Sequence, residues 1–151
     1  MARFPGTETK TNRRGLRPAD AVRCRRSRAN GALGLADARG LVVEVQTAHA
    51  RVLFDLSGRS VWLADEQLVD LDPAELGPEP ALLRAVLRAL DAQRVEFEEG
   101  GLLIVSSPRV TAAGLERARE ALGARLEGLE IHPGGVHEVA VHLRIASPQP
   151  R

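Results

Sequence analysis

Aromatic residues are nearly missing from this chain of 151 residues: Phe4, Phe54, Phe97 and Trp62 are all there are, and tyrosine is absent. A platform for stacking bases needs several exposed rings, so that mode of single-strand recognition lacks its material. Cysteine occurs once, at Cys24, which excludes an internal disulfide and an all-cysteine metal site. Lysine also occurs once, at Lys10, so arginine supplies almost all the positive charge. No apolar run approaches the ~18 residues of a membrane span. The N-terminus has no apolar core of a secretory signal, and a cytoplasmic protein is expected.

What remains is an ordinary apolar fraction of 44%, so the core must be built from Leu, Val, Ile and Ala. The overall charge is +1, but it is unevenly placed. Residues 1–30 carry nine basic side chains against Glu8 and Asp20, whereas the rest carries 12 basic and 18 acidic ones. A basic arm on an acidic body is suited to contact with nucleic acid or another acidic surface. The candidate phosphate contacts are Arg13, Arg14, Arg17, Arg23, Arg25, Arg26 and Arg28.

Periodicity divides the chain. Residues 1–17 hold Pro5, Gly6 and Gly15 without an apolar period, which predicts a disordered basic arm. From residue 18 to 72 short alternating pieces follow one another: Val22 and Cys24, then Leu41, Val43 and Val45, then Arg51–Phe54, Ser60–Leu63 and Leu68–Leu71. Polar turns separate them, and Ser27–Gly34 reads as a loop, so a small β-barrel is predicted. Cys24 is expected to alternate inward with Val22 as a small buried hydrophobe; if exposed, its thiol pKa would be lowered by Arg23, Arg25 and Arg26.

After Asp72 the period changes. Asp72-Pro73-Ala74-Glu75 carries the signature of a short helix, and Gly77-Pro78-Glu79-Pro80 reads as a hinge. Leu82, Leu83, Val86, Leu87 and Leu90 then form an apolar helical stripe. Strands follow at Arg94–Glu98 and Leu102–Val105, a helix capped by Thr111, and a last strand with Val139, Val141, Leu143 and Ile145 on one side. The expected order over residues 73–146 is α-β-β-α-β, with Leu129–His132 as a candidate added strand and 147–151 as a tail.

The first of these modules resembles KOW and Tudor-like modules, which are SH3-like five-stranded barrels of transcription, translation and DNA-repair proteins. The likeness is carried by Val22–Arg25, Gly40–Val45, Ala50–Phe54, Gly58–Leu63 and Leu68–Leu71. The predicted fold class is therefore α+β, an N-terminal SH3-like barrel at 18–72 followed by the α-β-β-α-β layer. Methyl-lysine binding, which Tudor-like modules perform with an aromatic cage, lacks the rings here.

Catalytic constellations are thin. His132, His137 and His142 recur every five residues, but alternation sends His137 away from His142, leaving too few ligands for a metal. Ser106-Ser107-Pro108 lies between a strand and a helix without a Gly-x-Ser-x-Gly elbow, and no phosphate-binding glycine loop occurs. No enzyme activity, catalytic residue, metal or cofactor is expected. The expected function is a binding or adaptor protein docking on nucleic acid or a nucleoprotein complex. The alternative is a protein-assembly factor that uses the barrel surface, an exposed β edge and Trp62. Alternation leaves two registers for Trp62, one exposing it between buried Val61 and Leu63, the other burying it.

Overall fold

The computed structural model describes residues 12–54, 60–98 and 100–146. The chain is α+β, with two antiparallel sheets and few helices. The first sheet contains β1 (Ala21–Cys24), β2 (Arg39–Val45), β3 (His49–Leu53), β4 (Ser60–Ala64) and β5 (Leu68–Asp70) in the order β4-β3-β2-β1-β5. A 3-10 turn at Asp65–Gln67 joins β4 to β5. Both edge strands supply the same core, through Leu63 of β4 and Leu68 of β5. They are not hydrogen-bonded to each other, so the described sheet is not a closed barrel.

Strand β2 is apolar almost without interruption because it is buried on both faces. Val42 and Val45 join Val22, Cys24, Ala50, Val52, Leu63 and Leu68 in an inner core. A bulge lies between Val42 and Glu44, where Val42 faces Val52 and Glu44 faces Arg51. The extra residue, Val43, goes to the other face and joins Leu41 and Leu53 in a second core.

That second core is shared with the rest of the chain, so the two expected modules pack together. Helix α1 (Arg28–Ala32) is a single turn, whereas α2 (Pro78–Ala89) and α3 (Ala112–Leu122) are full helices. The second sheet contains β6 (Arg94–Glu98), β7 (Leu102–Ser107), β8 (Leu126–Pro133) and β9 (Val139–Ile145) in the order β6-β7-β9-β8. Leu83, Val86, Leu87 and Leu90 of the α2 region lie between Leu41, Val43 and Leu53 of the first sheet and Val95, Leu103, Val105, Val141 and Leu143 of the second. Helix α3 crosses α2 closely at Gly114. A Cβ there would stand 2.3 Å from Ala89 O, so only glycine permits the approach.

Four local expectations are corrected. The segment Ser27–Gly34 is not simply a loop: Ser27 accepts a hydrogen bond from Asn30 N and caps α1. The proposed hinge Gly77–Pro80 is the start of α2, with Pro78 in the first turn, where a missing N–H costs nothing. Ala81 N is the first to find its acceptor, Gly77 O. The candidate strand at Leu129–His132 is eight residues long, which makes the order α-β-β-α-β-β.

The fourth correction concerns the arm. Residues 1–11 lie outside the described residues, but residues 12–17 belong to the fold. Asn12 and Leu16 are 8% and 5% exposed. The Asn12 side chain donates to Gln46 O at 2.9 Å and Asp65 Oδ1 at 2.8 Å, and accepts from Arg14 N at 2.9 Å. It ties the segment to the β2–β3 turn on one side and to the 3-10 turn on the other.

Candidate functional site

The expected arginines do not act as one group. Arg14 is committed to the fold: its guanidinium donates to Asp65 O and Leu68 O at 2.5 and 2.7 Å and pairs with Asp70 at 3.0 Å. Arg13 is exposed, and its backbone N–H is held by Thr47 O beyond the end of β2. Arg17 is exposed, its N–H held by the Asp20 carboxylate. Arg13 is thus a whole strand length from the start of β2, about 20 Å for a strand of this size.

Arg23, Arg25, Arg26 and Arg28 are brought together at the opposite end. Inward alternation of Val22 and Cys24 turns Arg23 outward, and Cys24 is fully buried. Burial pushes the Cys24 thiol pKa up, so its arginine neighbours do not activate it. Past the end of β1 the backbone is fixed from two sides: Arg25 N donates to Gln67 O, and Arg25 O accepts from the buried Asn30 side chain at 2.9 Å. This holds the chain while leaving the Arg25 and Arg28 side chains in solvent.

Asp37 organises the centre. It adopts a left-handed backbone with φ 63°, and its carboxylate pairs with Arg23 at 3.0 Å and Arg26 at 2.6 Å. The Arg26 side chain is nevertheless 82% exposed, so most of its donors still face water. Arg39 was not singled out in the sequence, yet the β1–β2 register sets it opposite Arg23, with its guanidinium on Glu75 O at 2.9 Å. Only strand pairing could have found it. The result is a corner of Arg23, Arg25, Arg26, Arg28 and Arg39 in which one carboxylate, Asp37, ion-pairs with two of the five. Its chemistry is that of a multidentate donor surface for anionic oxygens.

Trp62 takes the outward register: it is 40% exposed, while Leu63 is buried and Val61 half-buried. Across the sheet it is in register with Arg51, which in turn faces Glu44 and pairs with it at 3.0 Å. Arg51 also donates to Val95 O of β6, so Trp62 borders the junction between the sheets.

His132 and His142 occupy the open face of the second sheet, which no helix among the described residues covers. Register places Glu96, Ile104, His142 and Glu130 in one row across β6, β7, β9 and β8. His132 lies diagonal to His142, ring centroids 4.2 Å apart, with Glu130 at 3.7 Å from its Nε2. His137 sits apart in the β8–β9 turn at φ 59°. Among the described residues no three His, Cys, Asp or Glu side chains converge as metal ligands. Ser107 begins a turn, its hydroxyl bonding both Arg109 N and Arg109 O. No helix among the described residues is long and apolar enough to cross a membrane.

Comparison with protein-family models, curated proteins and solved structures finds no match to this chain.

Proposed function

We propose that this chain is a non-enzymatic, cytoplasmic binding protein that docks on nucleic acid or a nucleoprotein complex through its arginine corner. One observation carries the reading: Arg23, Arg25, Arg26, Arg28 and Arg39 lie at one end of the first sheet, and the Asp37 carboxylate ion-pairs with two of them, Arg23 and Arg26. Such a surface suits phosphate oxygens and reads little base sequence. The strand order β4-β3-β2-β1-β5 and the 3-10 turn before β5 support an SH3-like, KOW- or Tudor-like module as its carrier.

The test is binding of the full chain to duplex DNA and to RNA over a salt series. Replacing Arg25, Arg26 and Arg28 together by Ala should weaken binding and flatten the log–log salt slope by roughly 0.7–0.9 for each phosphate no longer neutralised. These side chains face solvent, so folding should be unaffected. Truncation of residues 1–11 measures what the preceding chain adds without removing the buried Asn12. Affinity and slope unchanged by the triple substitution would overturn the corner as the interface. The second reading, a protein-assembly factor, is favoured by the 40% exposure of Trp62. It predicts a partner whose binding survives high salt and is lost with Trp62→Ala.

A further inference from the structure

Strand β8 ends the second sheet: among the described residues β9 pairs with one side of it and no strand with the other. The direction of its backbone groups follows from two observations. Gly134 N donates to Glu138 O, and the register pairs His132 with Ala140 and Glu130 with His142. Alternation then turns the peptide groups of Gly128, Glu130 and His132 toward β9 and those of Leu129, Ile131 and Pro133 toward solvent. Proline at the outward-facing position loses no ladder bond, because its missing N–H would have pointed to water. The bulge at Leu126/Gly128 and Pro133 confine the open stretch to Gly128–His132.

Pro133 and the bulge blunt the two ends of this edge, but the stretch between them carries neither lysine nor an inward charge. Ile131 is 51% exposed, and Val136 in the following turn is 62% exposed. Glu130 and His132, on either side of Ile131 in the chain, are on the open face, while Ile131 is on the face of Val141 and Leu143.

We propose that β8 is a self-association edge, pairing antiparallel with β8 of a second copy about a two-fold axis at Ile131. This inference is independent of the arginine corner. In that register Ile131 N–H and C=O close on Ile131 of the second copy, and each Leu129 N–H meets the opposite Pro133 C=O. Ile131 packs on its equivalent, and Glu130 stands across from His132 of the second copy, twice by symmetry. The neighbouring registers are poorer. An axis at Glu130 sets the two Glu130 carboxylates against each other, an axis one residue beyond Ile131 sets His132 against His132, and an axis at Leu129 sets Glu130 against Gly128. The product is one continuous sheet through both copies.

Sedimentation velocity of the full chain over the micromolar range should show a reversible monomer–dimer equilibrium. Ile131→Asp should abolish it; because Ile131 is exposed, an unchanged circular dichroism spectrum certifies the fold. Glu130→Arg alone sets Arg against His, and His132→Glu alone sets Glu against Glu, so each should weaken its own dimer roughly tenfold. Mixed together, the two variants face Arg with Glu and His with Glu, and the heterodimer should form at wild-type strength. A chain that is monomeric at every concentration overturns the proposal, as does a dimer that survives Ile131→Asp. A dimer that responds to Ile131→Asp but shows no rescue on mixing overturns the register.

Discussion

The first sheet is buried on both faces across its middle, and the second on only one. In the first, Val42, Val45, Ala50 and Val52 face an inner core while Leu41, Val43 and Leu53 face the core shared with α2. In the second, Val95, Leu103, Val105, Val141 and Leu143 face the helices, and Glu96, Glu130, His142 and Arg144 stand on the open side. The consequence is a division of labour. A sheet covered on both sides can expose chemistry only at its ends and edges, which is where the arginine corner and Trp62 lie. A sheet covered on one side can carry a charged face and a free edge.

The strongest way to break this comparison is at the joint. Leu87 is 1% exposed in the core that both sheets share, so Leu87→Ala should cost roughly 2–5 kcal/mol in urea unfolding. Trp62 fluorescence and far-ultraviolet circular dichroism should move together. A loss confined to one probe would show that the sheets are separately stable.

Next in size is the seal of the first sheet. Asn12→Ala removes donors to Gln46 O and Asp65 Oδ1 and leaves Asp65, 2% exposed, without that partner. A cost of about 2–3 kcal/mol is expected, with faster amide exchange at the β2–β3 turn. Exchange unchanged there would mean that residues 12–17 lie on the sheet without holding it.

A matched pair sharpens the contrast. Val43→Thr places a hydroxyl on the covered outer face of the first sheet, where Val43 is 1% exposed, and should cost about 1–3 kcal/mol. Glu96→Thr on the open face of the second should stay within about 0.5 kcal/mol. Equal costs would show that something covers the open face in solution.

The elements that sequence revealed are those whose burial imposes a period. The α2 stripe and the Val139–Ile145 alternation are of this kind, because each has one buried side and one wet one. Short or doubly used signals misled. Proline both ends helices and begins them, so Gly77–Pro80 looked like a hinge; five residues of α1 are too few to show a period. The fate of Arg14 was illegible for another reason: its acceptors, Asp65 O and Leu68 O, are more than fifty residues away. Trp62 is similar, since alternation permits either side and only its pairing with Arg51 decides. Of the candidate site, the Arg23–Arg28 group was legible, Arg39 was not, and Arg13 and Arg14 went elsewhere.

The run Leu41–Val45 has a cost during synthesis. It needs β1 and β3 at its sides, β5 and Leu68 below, and Leu87, Val95 and Leu143 above. Those last residues leave the ribosome long after it does. Until then the nascent chain displays an apolar β segment of the composition that seeds aggregation. Arginines before it at positions 23–28 and 39, and Arg51 after it, bracket the segment with like charge, as gatekeepers do. In the unfolded chain, like charge at these positions opposes pairing of the segment with another copy, whatever the same side chains bind in the finished molecule.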